Sequence, residues 1–403
     1  MSVSQVATLT TDVVLLIGTS VLLIVCLFFL IECTAALIPV TSSSHRGRWQ
    51  DAKVTVLVPA HNEELVIGST LEKLIPGLKQ QDRLVVIADN CSDRTAEIAR
   101  NAGAIVLERQ DSNCRGKGYA LDYGLRFLES DPPDVVVIVD ADCIVNQGAI
   151  EQLTRCAIAT GQPVQSVYLM AKPNNSRSSK DIVSQFSVIV KNLVRPRGLT
   201  LLGWSCLLTG TGMAFPWSVI RSVNLASGHI VEDMKLGLDL TLAGYKPTLC
   251  LTATVKAYLP TQPQAAKSQR TRWEHGHLQV MGAYIPILCK EAISQRRLDL
   301  LVSLLDLCIP PLSLLVILWL GLMTTSIASS VLGASWIPVA IAAIAGFCFL
   351  SAILIAWAGF GRKELPLLEL LTIPFYIFWK IPVYLKFLMK PQNVWVRTER
   401  EAS

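Results

Sequence analysis

The sequence predicts an α/β fold, with a mainly parallel sheet covered by helices and flanked by transmembrane and interfacial helices. Three observations carry that expectation. Apolar residues are 51% of the 403 and concentrate at the N-terminus and in the last quarter, more than a purely soluble chain needs. Between them, short β-branched runs alternate with helical stretches, the pattern of a sheet wrapped by helices. Most of the prominent acids, Asp89, Asp140, Asp142, Glu232 and Asp233, stand just after an apolar run or beside a turn. A strand would deliver such groups to a cleft beyond the sheet's carboxyl edge.

In chain order, residues 13–31 carry no charge and as a helix would extend roughly 28 Å, about one hydrocarbon core. A secretory signal would need a basic segment ahead of the apolar run, yet no Lys or Arg precedes Arg46. Arg46, Arg48 and Lys53 follow it, so the positive-inside rule places the next domain in the cytoplasm. Residues 41–44 read as a polar linker.

The α/β pattern then begins. Residues 54–59 read as a buried strand ended by Pro59, and 63–78 as helical. Residues 84–88 form a second strand running into Asp89. Ser92 is placed to cap a helix over 93–101, with Gly103 after its last turn. A third strand follows at 104–107, a helix at 118–128, and a central strand at 135–139 that ends in Asp140.

Carboxylates gathered at strand ends are costly to desolvate unless a cation or a transferable proton compensates. Asp140-Ala141-Asp142 suits an open site in which Mg2+ or Mn2+ is shared between carboxylates and phosphate oxygens. Asp89 can accept hydrogen bonds from a base or ribose, or can form an ordinary Asx turn with Asn90. Arg115-Gly116-Lys117-Gly118 joins cations to glycines that permit close backbone approach, which suits a phosphate or a base edge. P-loop spacing and a strand-linked G-x-G-x-x-G are both absent from the sequence, which disfavours NTPase and dinucleotide-oxidoreductase readings. Glu232-Asp233 precedes a helical stretch at 234–242. Asp233 can act as a general base, or both acids can favour the helix N-terminus. Gln269, Arg272 and Trp273 share a helical face. Arg272 can hold a diphosphate and Trp273 can offer a plate to a sugar ring; alternatively the motif is a juxtamembrane anchor. Residues 274–293 are amphipathic enough to lie along a bilayer surface.

Two further spans are expected at 300–323 and 336–360. Arg296-Arg297 precedes the first, Arg362-Lys363 follows the second, and the loop 324–335 is uncharged. The three spans therefore agree on one multi-pass topology in the inner (cytoplasmic) membrane. Asp306 and Pro310-Pro311 fall inside the first of these spans; the carboxyl would face other helices or the interface, or serve an acceptor path. Residues 365–388 are apolar but contain Glu369, Lys380, Lys386 and three prolines. A fourth span would put Lys390, Arg397 and Arg400 outside, so the stretch reads as a broken interfacial helix. The domain boundaries that follow are 1–44, 45–268, 269–299, 300–360 and 361–403.

Eleven cysteines contain no C-x-x-C pair and read as small core residues of a cytosolic protein. His275 and His277 are two apart, so a helix points them in different directions, away from a shared metal. The sequons at 90–92 and 174–176 carry no weight in a cytoplasmic domain. The net charge of +5 lies largely beside the apolar segments, which suits lipid headgroups and not nucleic acid.

As an ordered set, V-P-A-H-N-E-E (58–64), A-D-N-C-S-D-R-T (88–95), R-G-K-G-Y-A-L-D (115–122), V-D-A-D (139–142), G-T-G-M-A-F (210–215), V-E-D (231–233) and Q-R-T-R-W (269–273) resemble the membrane-anchored inverting glycosyltransferases of family 2. That family includes the cellulose, chitin-oligosaccharide and hyaluronan synthases and ceramide glucosyltransferase. The wording of the second and third blocks is similar to the exopolysaccharide subgroup typified by methanolan biosynthesis. The resemblance implies a GT-A (Rossmann-like) domain that moves a hexose from a nucleoside-diphosphate sugar, a UDP-sugar, to a membrane-associated acceptor. It implies a polyprenyl-diphosphate-linked acceptor glycan, with other polysaccharide-assembly proteins as partners. It also implies that Pro59, His61, Glu63, Asp89 and Lys117 border the nucleotide, that Asp140 touches the donor and that Asp142 binds the metal. Gly210, Thr211 and Gly212 would line the acceptor path, Asp233 beside Glu232 would be the base, and Gln269, Arg272 and Trp273 would clamp pyrophosphate and acceptor. Two departures stand out: Asp89-Asn90 where many relatives have two aspartates, and a short C-terminal membrane region. The second disfavours a wide polymer channel. A processive synthase that extrudes its own polymer, and an inactive nucleotide-sugar-binding subunit, are the alternatives.

Overall fold

The computed structural model describes residues 3–40, 49–171, 179–259, 262–363 and 365–389. The linker 41–44, the basic Arg46 and Arg48, the sequon 174–176, and Lys390, Arg397 and Arg400 lie outside the described residues. The described residues form two compact units, one within Met1–Pro39, Ser178–Leu202 and Leu304–Met389, the other within Val40–Arg177 and Gly203–Ser303.

The second unit is built on one sheet. Its strands are β1 (Val54–Ala60), β2 (Arg83–Asp89), β3 (Ile105–Arg109), β4 (Val135–Ile138), β5 (Cys143–Val145), β6 (Val164–Ala171), β7 (Met213–Pro216) and β8 (Thr248–Tyr258). They lie in the order β3-β2-β1-β4-β7-β6-β8-β5. The first four pair in parallel; β7 enters antiparallel between β4 and β6, and β8 runs parallel to β6. Val, Ile and Leu fill β1, β2 and β4 because both faces of the sheet are covered. Leu57, Ile87 and Ile138 pack under Leu121, Leu125 and Leu128 of the helix Lys117–Leu128, with Phe215, Leu236 and Leu240 beside them. Gly124 lets that helix approach closely, since a Cβ there would sit 3.0 Å from Ile87.

Three sequence expectations need correction here. Helix over 63–78 shrinks to Ile67–Leu74 plus a 3-10 turn at Ile75–Gly77. Pro76 in that turn shapes the change. Ser92 does not cap the following helix, Thr95–Asn101. Arg94 holds the cap position without a side-chain cap bond, and the Asp93 carboxylate, one residue earlier, accepts from the Thr95 amide at 3.0 Å, where an anion suits a helix N-terminus. The expected span at 300–323 is broken: one helix covers Leu298–Leu307 and the next Leu312–Val331. Pro310-Pro311 lack the amide hydrogens a continuous helix would use, and the loop expected at 324–335 shortens accordingly.

Among the described residues, three helices of the first unit are long and apolar enough to cross a bilayer: Thr8–Ala35, Leu312–Val331 and Ile337–Gly361. Gly346 accepts the Trp319 ring against bare backbone, where a Cβ would lie 2.7 Å from the indole, and Trp319 Nε1 donates to the Ala342 carbonyl at 2.8 Å. The stretch read as a broken interfacial helix is a 3-10 turn, Leu367–Thr372, followed by a helix at Ile373–Met389. Ser178–Leu202, placed by the sequence reading within 45–268, packs with the apolar helices. Its Arg195 is buried between Glu32, at 2.8 Å, and the Asp306 carboxylate. Gly198 presses on the Glu32 carbonyl, where a Cβ would be 2.0 Å away. Removing one member of a buried ionic group leaves an uncompensated charge, at about 3–5 kcal/mol. Arg195→Ala is expected to lower the thermal unfolding midpoint of the detergent-solubilised chain strongly, whereas Arg197→Ala, at a half-buried position, should have a smaller effect.

Candidate active site

The carboxyl ends of β1, β2 and β4 open on the same edge, and the loops after β1 and β2 are laced together. Asn62 and Asn90 both adopt left-handed φ, 55° and 52°, a conformation asparagine tolerates better than most residues. Asn62 Oδ1 accepts from the Ser92 amide at 2.7 Å, and Thr95 Oγ1 accepts from the Glu63 amide at 2.8 Å. His61 Nδ1 lies 2.7 Å from the Asp89 carbonyl; a carbonyl only accepts, so Nδ1 carries the proton. Pro59, in β1, pairs with Ile87 of β2, and so stands beside the Asp89 loop.

Asp89 is buried, and its Oδ1 accepts from Arg109 Nη1 at 2.6 Å and from Asn90 Nδ2 at 3.0 Å. Arg109 also reaches Asp111 at 3.0 Å and the Cys114 carbonyl at 2.7 Å. Asn90 Oδ1 accepts from the Asp111 amide. An amide at position 90 can both donate and accept, which a carboxylate could not, so the Asp-Asn departure has a local reason. Sequence reading missed Arg109, because only the β2–β3 register places it opposite Asp89.

Three acids meet one lysine at the centre. Lys117 Nζ lies 2.5 Å from Asp140 Oδ1, 3.5 Å from Glu232 Oε1 and donates to the Gly210 carbonyl at 2.6 Å. Gly210, at φ +95°, has the space a Cβ would take 3.1 Å from Asp233 Oδ2 and 3.8 Å from Lys117 Nζ, so Asp233 belongs to the same cluster. These neighbouring acids hold the Lys117 ammonium above its usual range against the effect of burial. Burial raises Asp140, opposed by Lys117 and reinforced by Asp142 and Asp233. Burial likewise pushes the Glu232 carboxyl up to about 7, with Lys117 opposing and Asp233 adding to the rise.

The 209–212 loop is stapled from β6 by a buried Gln165, which donates to the Thr211 carbonyl at 2.8 Å and accepts from the Thr209 amide at 2.9 Å. Thr211 Oγ1 in turn accepts from the Asp140 amide at 3.0 Å. Gly212, at φ +62°, meets Ser166 so closely that a Cβ would lie 2.0 Å from its Oγ. Thr211, expected with Gly210 and Gly212 to line an acceptor path, also holds the Asp140 amide. Gln165 was missed, although a glutamine within an apolar strand is itself a signal.

Asp140, Asp142 and Cys143 bring one ligand atom each within 4.8 Å of one another. Burial pushes the Cys143 thiol well up, which keeps sulfur a poor ligand, whereas hard cations select oxygen. The two carboxylates therefore fit an open Mg2+ or Mn2+ site. Thr70 Oγ1 donates to the Ala141 carbonyl at 2.8 Å and steadies the turn between them.

The helix Pro263–Ser294 carries Gln269, buried, and Arg272 and Trp273, half-buried. Gly276 shares their face by helical spacing, and a Cβ on it would lie 2.7 Å from Val231. That turns the face toward the start of the helix Glu232–Leu242. Further along, Tyr284 donates to Asp239 at 2.6 Å, and Arg297 covers the Thr241 and Leu242 carbonyls. His275 and His277 are both buried.

Residues 51–276 match the family described as "Glycosyltransferase like family 2". The chain is 27% identical over 241 residues to "Probable glycosyltransferase YdaM" of Bacillus subtilis (strain 168), covering 57% of this chain and 56% of that protein. It is 26% identical over 240 residues to "Poly-beta-1,6-N-acetyl-D-glucosamine synthase" of Staphylococcus aureus (strain COL), covering 57% and 55%. The chain spans about half the length of the curated relatives it matches. A solved structure, "Mannosyltransferase PcManGT from Pyrobaculum calidifontis in complex with GDP-Man and Mn2+", superposes over 95% of this chain and all of its own, with a TM-score of 0.54 at 16% identity. That likeness is one of fold.

The Glu232 position has a pH signature. Its folded value of about 7 lies above the ordinary 4.5, so the folded chain holds the proton longer. Stability then falls as pH rises from 4.5 toward 7 and levels off above. Glu232→Gln is expected to flatten that fall in a thermal-unfolding series on the metal-free chain.

Proposed function

Because the chain belongs to glycosyltransferase-like family 2, we propose that it moves one hexose, with inversion, from a nucleoside-diphosphate sugar to a membrane-associated acceptor in exopolysaccharide assembly. The single observation that supports this reading best is the convergence of Asp140, Glu232 and the Gly210 carbonyl on Lys117, with Asp233 beside them. The named synthase of Staphylococcus aureus supports the exopolysaccharide setting, and the UDP form of the donor is part of the proposal.

In this reading Asp140 and Asp142 hold Mg2+ or Mn2+, which when bound supplies positive charge to the diphosphate. His61, Glu63, Asp89 and the Pro59 turn border the base and ribose. The acceptor hydroxyl attacks C1 of the sugar from the face opposite the diphosphate. Asp233 takes the hydroxyl proton as the new C–O bond forms. The bond from C1 to the diphosphate breaks, its electron pair leaving on the phosphate oxygen. Lys117, within the same cluster, offsets the added charge, and Arg272 does so from the neighbouring helix. Trp273 gives the sugar ring an apolar plate. Gln269, buried on the same helical face, joins Arg272 and Trp273 in clamping pyrophosphate and acceptor.

The three apolar helices support a multi-pass anchor in the inner membrane, and the basic residues beside them support a cytoplasmic catalytic domain. A polyprenyl-diphosphate-linked glycan is the acceptor of that leaflet.

Asp233→Asn is expected to cut sugar transfer from a radiolabelled donor by at least about a hundredfold, while donor binding by calorimetry changes little. Undiminished transfer overturns the assignment. Products from purified enzyme in vesicles are expected to be discrete single additions; a ladder of long chains would instead identify a processive synthase. Chelation by EDTA should abolish turnover, with recovery on adding Mn2+ or Mg2+.

A further inference from the structure

We infer that Cys156 and Cys250 form a redox-active thiol pair, a modification site that closes to a disulfide under a mild peroxide. Their sulfurs lie 3.3 Å apart, already in contact. Cys156 stands on the helix Ala149–Thr160 and Cys250 near the start of β8, ninety-four residues apart in sequence. No spacing motif announces the pair.

The surroundings divide the two sulfurs into unequal partners. The Cys156 thiol donates to Cys250 Sγ, and Thr252 Oγ1 lies 3.4 Å from the same sulfur. These contacts pull the Cys250 thiol down to about 6, against the opposing effect of burial, while Cys156 is held up. When protonated, Cys250 has the Gln152 carbonyl at 3.8 Å as a partner. A thiolate beside a donor thiol is the arrangement of a nucleophile next to its resolving cysteine. Cys250 is buried but Cys156 is half-buried and Thr252 exposed, which leaves a small oxidant a short way in.

The chemistry balances with hydrogen peroxide as the oxidant. The Cys250 thiolate attacks one peroxide oxygen; the O–O bond breaks, and the departing hydroxide takes a solvent proton to become water. Cys250 is then a sulfenic acid. The Cys156 sulfur attacks the Cys250 sulfur, the S–O bond breaks, and that hydroxide leaves as a second water with the Cys156 proton. Two thiols lose two electrons, and one peroxide is reduced to two waters.

The position of the pair gives the bond a consequence. Cys250 is the β8 partner of Ser166, and the next β6 residue, Val167, pairs with Thr254, so residues 251–253 form an irregularity in the strand. The Ser166 amide donates to the Gly212 carbonyl at 2.8 Å, and Gly212 follows the Thr211 that holds the Asp140 amide. Closing the pair ties the Ala149–Thr160 helix to the foot of that irregularity, beside the β6 residue whose amide holds the Gly212 carbonyl.

The test uses the full chain in detergent, reduced and then exposed to a small excess of hydrogen peroxide, with alkylation and peptide mapping under non-reducing conditions. The expected result is a Cys156–Cys250 cross-linked peptide, lighter by two hydrogen atoms and reversed by dithiothreitol. In Cys156→Ser the reaction should stop at a Cys250 sulfenic acid that dimedone captures, and in Cys250→Ser no cross-link to Cys156 should form. Cys91, Cys114 and Cys289 serve as internal references for exposure. The inference is overturned if Cys156 and Cys250 both stay fully alkylatable while those references oxidise. It is equally overturned if dimedone labels the references but not Cys250 in Cys156→Ser.

Discussion

The Lys117 ammonium is the contact on which the arrangement depends. It touches a carboxylate from the end of the sheet, Asp140, another from a helix N-terminus, Glu232, and the carbonyl of Gly210. Without it, buried acids drawn from separate elements would repel one another in a poorly solvated cleft. With it, the cluster still carries more acid than base, since Asp142 and Asp233 stand alongside. That surplus suits a divalent cation, while the lysine offsets part of the repulsion among the acids. Glycine at 210 permits the approach, because the positive φ and the space beside Asp233 both disfavour a side chain.

The supports of this centre are spread through the sheet. Gln165 in β6 fixes the 209–212 loop, that loop fixes the Asp140 amide, and Thr70 fixes the carbonyl between the two aspartates. The β7 strand, inserted antiparallel beside β4, is what brings the loop alongside Asp140. At the ends of β2 and β3, Arg109 and Asn90 hold Asp89 in place. Charged groups are thus held by buried polar partners, which limits how far each can move when a ligand arrives.

Much of this was legible in the sequence, and the rest was hidden for identifiable reasons. β1, β2, β3 and β4 were readable because each is a continuous apolar run, and the acids that follow them were readable as strand ends. β5 and β7 are three and four residues long and carry no alternation to detect. Arg109, Gln165 and the thiol pair depend on partners far away in sequence, so no local pattern reveals them. The expected span at 300–323 counted apolar residues and gave Pro310-Pro311 too little weight. The place of Asp306 was hidden for a similar reason: its counter-ion, Arg195, lies in Ser178–Leu202, a stretch the sequence reading assigned to the catalytic domain.

In the proposed function, the acidic turn and the helix N-terminus make one cation-binding donor site with separable roles. Electron paramagnetic resonance of Mn2+ titrated into the full chain with a nucleoside diphosphate tests it most directly. One tight Mn2+ is expected in the wild type, with loss of that signal in Asp142→Asn and its retention in Asp233→Asn. Unchanged Mn2+ binding in Asp142→Asn would contradict it.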